Sequence, residues 1–429
     1  MGGDDAAGEK LAEQPPPPTE RSVHKPRRVL LITPRWARDG DVGAHVVASA
    51  GVLAADGAQV LVLTARIEAD ARIPGVTLSH SPELLKPHAP MQTRLGEALT
   101  WGAEVAHLHQ VDEPDIVDAL RRVAPVVISA HGYTACTSGV HHFRPGHECA
   151  RAHGPGCVPR LIGCAHSRNP GSLPARYRHA TRGLGALLSA DLAVSYSSAV
   201  DRHLATNGVA RRMIVPYFPT FAARSSDGGA GRRRVVFAGR VVPAKGVAVL
   251  IKAAGRVRGE FVICGDGRQL PALRRLARRA GVDDRVQFTG WLPPERLADE
   301  LAGASVVALP SVWPEPFGLV GIEAHAAGRP VVASATGGVA DWLQDGVSGL
   351  LVPPGDARAL ATALAELLAD PDRQQAMGSA GKSSVTARYS AQQHLGALLD
   401  GYRAARATWK SRATEPIPLE LSASRAAVG

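Results

Sequence analysis

Two glutamates, Glu315 and Glu323, lie on either side of a predicted helix start at Gly318. The first free N–H groups of that helix, at Leu319 and Val320, would combine with the positive end of the helix dipole to form an anion site. Because Gly318 has no side chain, a ligand can approach the backbone there. Carboxylates beside such a site can accept paired hydrogen bonds from the vicinal hydroxyls of a sugar or a ribose. The spacing therefore predicts a site for a nucleotide sugar, a diphosphate with a diol on each side.

The residues around this motif predict how it is held. The apolar runs at 305–310 and 331–334 read as buried strands. Pro314 and Pro316 disfavour helix in the loop between them, and Pro330 ends the helix. Strand, rigid loop, helix and strand follow in that order, as in an open α/β sheet. Taken alone, either glutamate could be a solvated residue or one that complements the helix dipole, but the combination favours a ligand site.

The string EPFGLVGIE, from Glu315 to Glu323, resembles the E-x7-E signature of the retaining glycosyltransferases of family 4, which have the GT-B fold. The resemblance implies an α/β protein with two doubly wound, Rossmann-like domains facing a cleft and a C-terminal helix that crosses back. It implies transfer of a sugar from a nucleotide sugar with retention of anomeric configuration. We expect Glu323 to hold the ribose and Glu315 the transferred sugar. The rest of the motif adds four donor-binding residues: Phe317, Gly318, Leu319 and Val320.

A second string, GRVVPAKG, follows an apolar run and contains Gly239, Arg240, Lys245 and Gly246. It matches the G-R-x4-K-G string of family 4, in which the two cations grip the donor diphosphate. A departing nucleoside diphosphate gains negative charge in the transition state, and fixed cations stabilise that charge best where water is excluded. No aspartate pair of the D-x-D kind is placed to hold a metal ion. We therefore expect a metal-independent enzyme without a cofactor.

Residues 28–33, 44–56 and 59–64 read as strand, helix and strand, which is one unit of a parallel sheet. Gly40 lies in the turn and matches the first glycine of a pair in family 4. Asp41 replaces the second glycine, and a carboxylate there would face the donor phosphates. We keep Gly40 as a candidate donor-binding residue, although such a glycine could also be a plain turn residue.

His131 lies at the end of the predicted strand 125–133, at the carboxyl edge where open α/β sheets bind ligands. It matches the histidine that contacts the donor sugar in family 4, whereas a lone histidine is more often structural. Gly290 follows another apolar run, and the resemblance places the nucleobase against Trp291 and Leu292. The expected catalytic residues are His131, Glu315, Arg240 and Lys245.

Residues 134–172 form a long insertion rich in glycine, proline, histidine and cysteine. Long irregular loops in compact domains are usually functional or disordered. Its cysteines have no C-x2-C spacing, so a structural zinc site, free thiols and a disulfide all remain open. By resemblance the insertion lies over the acceptor side of the cleft, and we expect it to shape acceptor choice. The cysteines are Cys136, Cys149, Cys157 and Cys164.

These elements predict the organisation of the chain. The expected parts are a disordered lead-in (1–26), an N-terminal acceptor-side domain (27–215), a C-terminal nucleotide-sugar-binding domain (216–390), a cross-over helix (391–412) and a flexible tail (413–429). No apolar run is long enough to span a membrane, and the N-terminus has no apolar signal core. We therefore expect a cytoplasmic protein.

The net charge of +10 suits anionic substrates, nucleic acid or an anionic membrane surface, while the 4% share of aromatic residues argues against binding of single-stranded nucleic acid. The expected partners are a UDP-, GDP- or ADP-sugar, an unknown acceptor and, through peripheral contact, a membrane, but no nucleic acid. One alternative is a GT-B nucleotide-sugar epimerase, which would need further carboxylates in the cleft. The other is a zinc-bearing, basic nucleic-acid-binding protein built on the insertion.

Overall fold

The computed structural model describes residues 25–38, 40–68, 72–136, 142–144, 147–160, 172–221 and 233–414. Within these ranges the chain forms two large parallel sheets, one short hairpin and helices on the faces of the sheets. Residues 1–24 of the predicted lead-in, residues 415–429 of the predicted tail and much of the insertion lie outside the described residues. No helix in the described ranges is both long and apolar enough to cross a bilayer.

The first sheet is built from seven parallel strands in the order β3-β2-β1-β4-β5-β8-β9. Its strands, with the hairpin β6–β7, are β1 Arg28–Thr33, β2 Gln59–Thr64, β3 Val76–His80, β4 Val105–His109, β5 Val126–Ala130, β6 His142–Arg144, β7 His147–Glu148, β8 Leu192–Ser195 and β9 Arg212–Ile214. Its helices are α1 Asp41–Ala55, α2 Met91–Leu95, α3 Pro114–Leu120, α4 Leu173–Ser189 and α5 Ser198–Thr206, with 3-10 turns at Gly96–Leu99 and Pro155–Arg160.

The second sheet has six parallel strands in the order β12-β11-β10-β13-β14-β15. The strands are β10 Arg234–Ala238, β11 Glu260–Cys264, β12 Val286–Gly290, β13 Val306–Leu309, β14 Val331–Ser334 and β15 Gly349–Val352. The helices are α6 Val247–Ala254, α7 Leu270–Arg279, α8 Pro294–Ala302, α9 Leu319–Ala326, α10 Ala357–Ala369 and α11 Pro371–Arg388, with 3-10 turns at Pro243–Lys245 and Val339–Asp341.

Both sheets reverse their strand order next to the first strand of each domain, between β1 and β4 and between β10 and β13. Loops at the carboxyl ends of parallel strands diverge at such a point and leave a crevice for a ligand. The central strands are apolar on both faces because helices cover both sides of a parallel sheet. The two sheets therefore bring their loop edges together around a cleft.

The last helix, α12 (Ala391–Thr414), crosses back and packs on the first domain, as predicted. The hydroxyl of Tyr402 lies 2.9 Å from Nδ1 of His107 in β4. The indole of Trp409 donates to the carbonyl of Arg121 at 2.7 Å. A second contact joins the domains beside the cleft, where the Asp341 carboxylate accepts from the N–H (2.7 Å) and the hydroxyl (2.6 Å) of Ser198 in α5.

Two features of the fold differ from the expectations. The sequence predicts no strand between β8 and β10, but residues 212–214 form β9 and extend the first sheet beside β8. Strand β3 was not predicted because its residues are only partly buried and its sequence mixes apolar and polar positions. Strand β9 has only three residues and lies at the sheet edge, so its pairing with β8 specifies it rather than its own sequence. The predicted domain limits stay predictions.

Five histidines form a buried cluster at the loop edge of the first sheet, where α12 meets it. Ring centroids lie 5.1 Å apart for His45 and His394, 5.3 Å for His109 and His131, and 4.2 Å for His107 and His109. Burial lowers the pKa of all five, and the neighbouring imidazoles lower it further for the four that precede α12. The pKa falls to about 3 for His107 and His131 and to about 4 for His394.

We expect the free energy of unfolding to decrease as the pH is lowered from about 6.5 toward 4. The unfolded chain binds protons at these imidazoles in that window whereas the folded chain does not, so protons favour the unfolded state. Each histidine contributes about 1.4 kcal/mol per pH unit. Urea unfolding across the window measures the slope. His107→Gln, which cannot titrate, should reduce the slope by about one proton. Stability independent of pH between about 7 and 5 would contradict this account.

Candidate functional site

A cleft of about 740 Å³ lies between the two domains. The first domain lines it with residues that follow β4 and β5 and with the first turns of α4. The second domain lines it with the loop after β10 and with the loop that joins β13 to α9. The residues predicted from sequence as catalytic, His131, Arg240, Lys245 and Glu315, all lie on its surface.

Glu315 lies in the cleft with several hydrogen-bond donors around its carboxylate, and only 4% of its surface is exposed. The ammonium of Lys245 lies 2.8 Å from Oε1 and 3.0 Å from Oε2 of Glu315. The hydroxyl of Ser311 (2.7 Å) and the indole N–H of Trp313 (3.1 Å) also donate to Oε2. Four donor contacts therefore reach this carboxylate, and three of them go to Oε2. Because a carboxylate oxygen accepts about two hydrogen bonds, Oε1 keeps room for one more donor.

These contacts decide the charge of Glu315. Burial acts to raise its pKa, but the charge of Lys245 and the hydrogen bonds from Lys245, Ser311 and Trp313 outweigh burial and lower the pKa. The carboxylate is therefore ionised at neutral pH. Lys245 has three N–H donors and spends two on Glu315, so one remains for a ligand in the cleft. The expected diphosphate cation and the expected sugar carboxylate thus form an ion pair with each other.

Arg240 complements Lys245 in the cleft. Its side chain is exposed, and within the described residues it forms no ion pair. A guanidinium presents five donors in a fixed planar arrangement that matches phosphate oxygens. Arg240 is therefore the cation that an anionic ligand would meet directly.

Helix α9 begins at Leu319, and Gly318 precedes it with a left-handed φ of 88°. No side chain caps this end among the described residues, so the N–H groups of Leu319 and Val320 face the ligand space. The backbone of Gly337 packs directly against the loop before the helix. An added Cβ at Gly337 would lie 2.1 Å from the carbonyl oxygen of Glu315. The motif TGG at 336–338 thus supports the Glu315 loop by close backbone contact.

A smaller cavity of about 80 Å³ adjoins the cleft behind α9, and Leu319 lines both. Glu323 lies on its wall and accepts a hydrogen bond from the hydroxyl of Thr220 at 2.9 Å. Trp291 is 47% exposed, which is unusual for so large an apolar side chain, and it lines the same cavity. The predicted donor-binding residues that line this cavity are Gly40, Gly239, Trp291, Leu292, Leu319, Val320 and Glu323.

The ring of His131 is fully engaged by its neighbours. Nδ1 lies 2.7 Å from the hydroxyl of Tyr217, and Nε2 lies 3.0 Å from Nδ1 of His109. The ring stacks on Tyr196 with centroids 4.8 Å apart. Tyr217 also contacts Phe317 of the second domain at 5.0 Å. Neither ring nitrogen of His131 is free to meet a sugar, so the residue can offer the cleft only its ring edge and its backbone.

The structure brings together nearly all of the residues singled out from sequence. The cleft gathers His131, Arg240, Lys245, Glu315, Phe317, Gly318 and Leu319, and the smaller cavity gathers the rest except Gly290. Gly290 is not among the lining residues of either cavity, and its carbonyl accepts from the N–H of Gly265 at 2.8 Å. Asp41 is the first residue of α1, but its side chain is outside the described residues, so its effect on the phosphates stays a prediction.

Sequence reasoning missed several residues at the site. Trp313 lies two residues before Glu315 and could have been included as a potential donor to that carboxylate. Tyr217 gives no sequence signal, because only the fold places the segment after β9 against His131. Gln110 and Asp112 follow β4 and line the cleft. Two polar residues directly after a buried strand could have indicated them as candidate site residues.

The cysteines of the insertion leave their chemistry open. Cys149 and Cys157 are free thiols in the structure, Cys136 lines the cleft, and Cys164 lies outside the described residues. Among the described residues, no group of three or more metal-ligating side chains comes together. Cys264 ends β11 and is buried, which raises the pKa of its thiol to about 12. It is an inert core residue beside the smaller cavity.

Comparison with known sequences finds a family match within the second domain. Residues 223–384 match the family model described as glycosyl transferases group 1. The chain is 42% identical to the D-inositol 3-phosphate glycosyltransferase of Kribbella flavida over 160 aligned residues. The alignment covers 34% of this chain and 38% of the relative. It is 40% identical over 169 residues to the GDP-mannose-dependent alpha-(1-6)-phosphatidylinositol monomannoside mannosyltransferase of Mycobacterium tuberculosis, covering 37% and 44%. The match thus spans less than half the length of these relatives.

Comparison with solved structures extends over nearly the whole chain. Sucrose-phosphate synthase from Thermosynechococcus elongatus superimposes with a TM-score of 0.67 at 22% identity, covering 89% of this chain and 99% of the other. Anabaena HepE in complex with UDP-glucose gives 0.64 at 19% identity, covering 87% and 99%. The expected fold class and family resemblance are both confirmed. The chain has the GT-B fold, and its residues 223–384 match the family model of the glycosyl transferases group 1.

Proposed function

We propose that this protein transfers a glycosyl unit from a nucleotide-sugar donor to an acceptor hydroxyl, with retention of anomeric configuration and without a metal ion. The observation that carries the proposal is the convergence on one cleft of Arg240, Lys245 and the uncapped start of α9, between Glu315 and Glu323. Two cations and free N–H groups suit a diphosphate, and a carboxylate on either side suits the two diols of a nucleotide sugar.

The arrangement of charges supports a specific division of roles. Arg240, the remaining N–H of Lys245 and the backbone at Leu319 would bind the diphosphate. Glu323 would accept the ribose hydroxyls in the smaller cavity, with Trp291 beside the base. Oε1 of Glu315 would accept one hydroxyl of the transferred sugar. Fixed positive groups that already surround the leaving group stabilise its developing charge without reorganisation.

The reaction can then be written with balanced bonds. The bond between the anomeric carbon and the diphosphate oxygen breaks, and its electron pair stays on the oxygen. The acceptor oxygen bonds to the same face of the anomeric carbon, and its proton passes to the departing phosphate. His131 would act through its backbone, because its ring nitrogens are engaged and within the described residues no N–H group donates to its carbonyl. A carbonyl dipole near the anomeric carbon would stabilise positive charge there.

A nucleotide-sugar epimerase is the second candidate. Epimerase chemistry needs a further carboxylate in the cleft, and the cleft contains one. Asp112 is such a group and lines the first-domain wall. Incubation with donor alone separates the two functions. An epimerase would convert the donor into its epimer, whereas a transferase would release nucleoside diphosphate slowly to water or leave the donor intact.

A nucleotide sugar should raise the melting temperature of the protein in EDTA. One relative is named as GDP-mannose-dependent and one structural neighbour was solved with UDP-glucose, so UDP-, GDP-, ADP- and TDP-sugars should all be compared. A donor at about 100 times its Kd stabilises the folded state by about 2.7 kcal/mol. The melting temperature with each donor is measured first and turnover second, both with and without EDTA. Turnover that strictly requires a divalent ion would contradict the metal-independent roles given to Arg240 and Lys245.

Lys245→Met should lower both stability and activity. It leaves the buried Glu315 carboxylate without its cation, at a cost of about 3 kcal/mol in urea unfolding. The double variant Lys245→Met/Glu315→Gln should recover most of the stability, because Ser311 and Trp313 can still donate to the amide oxygen, but it should not recover turnover.

Arg240→Ala is the matched variant for this comparison, since Arg240 is exposed and unpaired within the described residues. Its stability should stay within about 0.5 kcal/mol of the parent protein while turnover falls. Unchanged turnover in Arg240→Ala would rule out its role at the diphosphate.

Glu323 should decide whether the protein recognises ribose hydroxyls. The ligand is the nucleoside diphosphate whose base the donor panel identifies. The parent protein should bind the ribonucleoside diphosphate about tenfold more tightly than its 2′,3′-dideoxy analogue. Glu323→Ala should bind the two with equal affinity, because the hydroxyls then have no acceptor. Calorimetric titration gives both constants, and a preference that survives in Glu323→Ala would place the ribose elsewhere.

A further inference from the structure

The first-domain wall of the cleft contains a carboxyl group that donor binding does not use. Asp112 follows β4 and lines the cleft opposite Arg240 and Lys245. Within the described residues, no group donates a hydrogen bond to Asp112. The adjacent Glu113, in contrast, is paired with Arg182 of α4. Asp112 is therefore the carboxyl on this wall that still needs a donor.

The surroundings of Asp112 make an unpaired state unfavourable. Burial raises the pKa of Asp112 to about 7, and the charge of Glu113 adds to the effect. The side chain packs against α4, where an added Cβ at Gly183 would lie 3.5 Å from its Cβ. A partly desolvated carboxyl without a partner costs free energy, and a ligand that supplies hydroxyl donors removes that cost.

A second, independent feature lies two residues earlier. Gln110 has a φ of 56° and is the one described non-glycine residue with positive φ. That conformation is strained for a residue with a Cβ, and strain of this kind persists mainly at functional sites. It holds the exposed Gln110 amide on the wall that Asp112 shares. A glycine would adopt the same backbone without strain, so the position retains a side chain at the expense of stability.

We propose that Gln110 and Asp112 form the acceptor site and that the acceptor is a polyhydroxylated compound whose neighbouring hydroxyls they bind. A carboxylate accepts two hydroxyl hydrogens, and a carboxamide both donates and accepts, so together they match a vicinal diol. The inference rests on the proposed transferase function, because it assigns the half of the cleft that the donor leaves open. The same diol could belong to a free sugar or cyclitol, a phosphorylated one or the headgroup of a glycolipid.

Transfer assays with defined probes test the chemical class. The donor from the thermal-shift panel is incubated with D-glucose, myo-inositol, myo-inositol 1-phosphate or n-octyl β-D-glucopyranoside, and with 2-phenylethanol as a monohydroxy comparator. We expect glycosylated product with at least one polyol and none with 2-phenylethanol. The probe that reacts identifies the source of the diol. Donor turnover to water without transfer to any polyol would overturn the inference and leave the donor site intact.

Variants of Asp112 test the residue assignment. Asp112→Asn should raise the KM for the reactive polyol by about tenfold, because a carboxamide oxygen is a weaker acceptor, while the thermal shift produced by donor stays the same. Asp118→Asn is the matched control, since Asp118 is exposed on α3 away from the cleft. An unchanged acceptor KM in Asp112→Asn, or an equal loss of donor binding, would overturn the assignment. A protein that binds no donor refutes the proposed function itself, and this inference with it.

Gln110→Gly separates acceptor binding from structural support. The substitution relieves backbone strain, so the melting temperature should rise while the acceptor KM increases. A purely structural role predicts loss of stability instead, and that result would remove Gln110 from the acceptor site.

Discussion

The ion pair between Lys245 and Glu315 is the interaction on which the site depends. Both partners are largely removed from water, with 13% and 5% of their side chains exposed. Such a pair is stable only if further hydrogen bonds satisfy the remaining lone pairs, and Ser311 and Trp313 supply them. The pair therefore joins the loop after β10 to the loop after β13 and fixes both before any ligand binds. Preorganised charge of this kind is what a reaction that expels a diphosphate requires.

A second network extends from the site into the first domain. Tyr217 contacts His131 on one side and Phe317 on the other, so it connects a loop of the first sheet to the E-x7-E loop of the second. Behind it, Tyr402 of α12 contacts His107, and His107 contacts Ser129 at 2.7 Å. Neutral imidazoles and phenols can satisfy one another in a dry interior, because each carries both a donor and an acceptor. The position of His131 is thus set by residues from three separate parts of the chain.

The sequence identified most of the second-domain residues that the structure brings together at the cleft and the smaller cavity. The strings from Gly239 to Gly246 and from Gly318 to Glu323 each fit within one loop and one helix, so local spacing alone fixes their geometry. The pairing of Lys245 with Glu315, which are 70 residues apart, and the contacts of the His131 ring needed the folded chain. The positive φ of Gln110 also escaped prediction, since nothing in a glutamine signals a left-handed backbone. Edge strand β9 was also missed, because its pairing with β8, and not the propensity of its residues, defines it.

The contact between Asp341 and Ser198 bears on how the molecule denatures. Asp341 belongs to the second domain and bonds to the first turn of α5, while α12 leaves the second domain and buries its aromatic side chains in the first. Loss of either domain would strip the other of these partners. We therefore expect the two sheets to melt as a single cooperative unit with one calorimetric transition, although each has its own apolar interior.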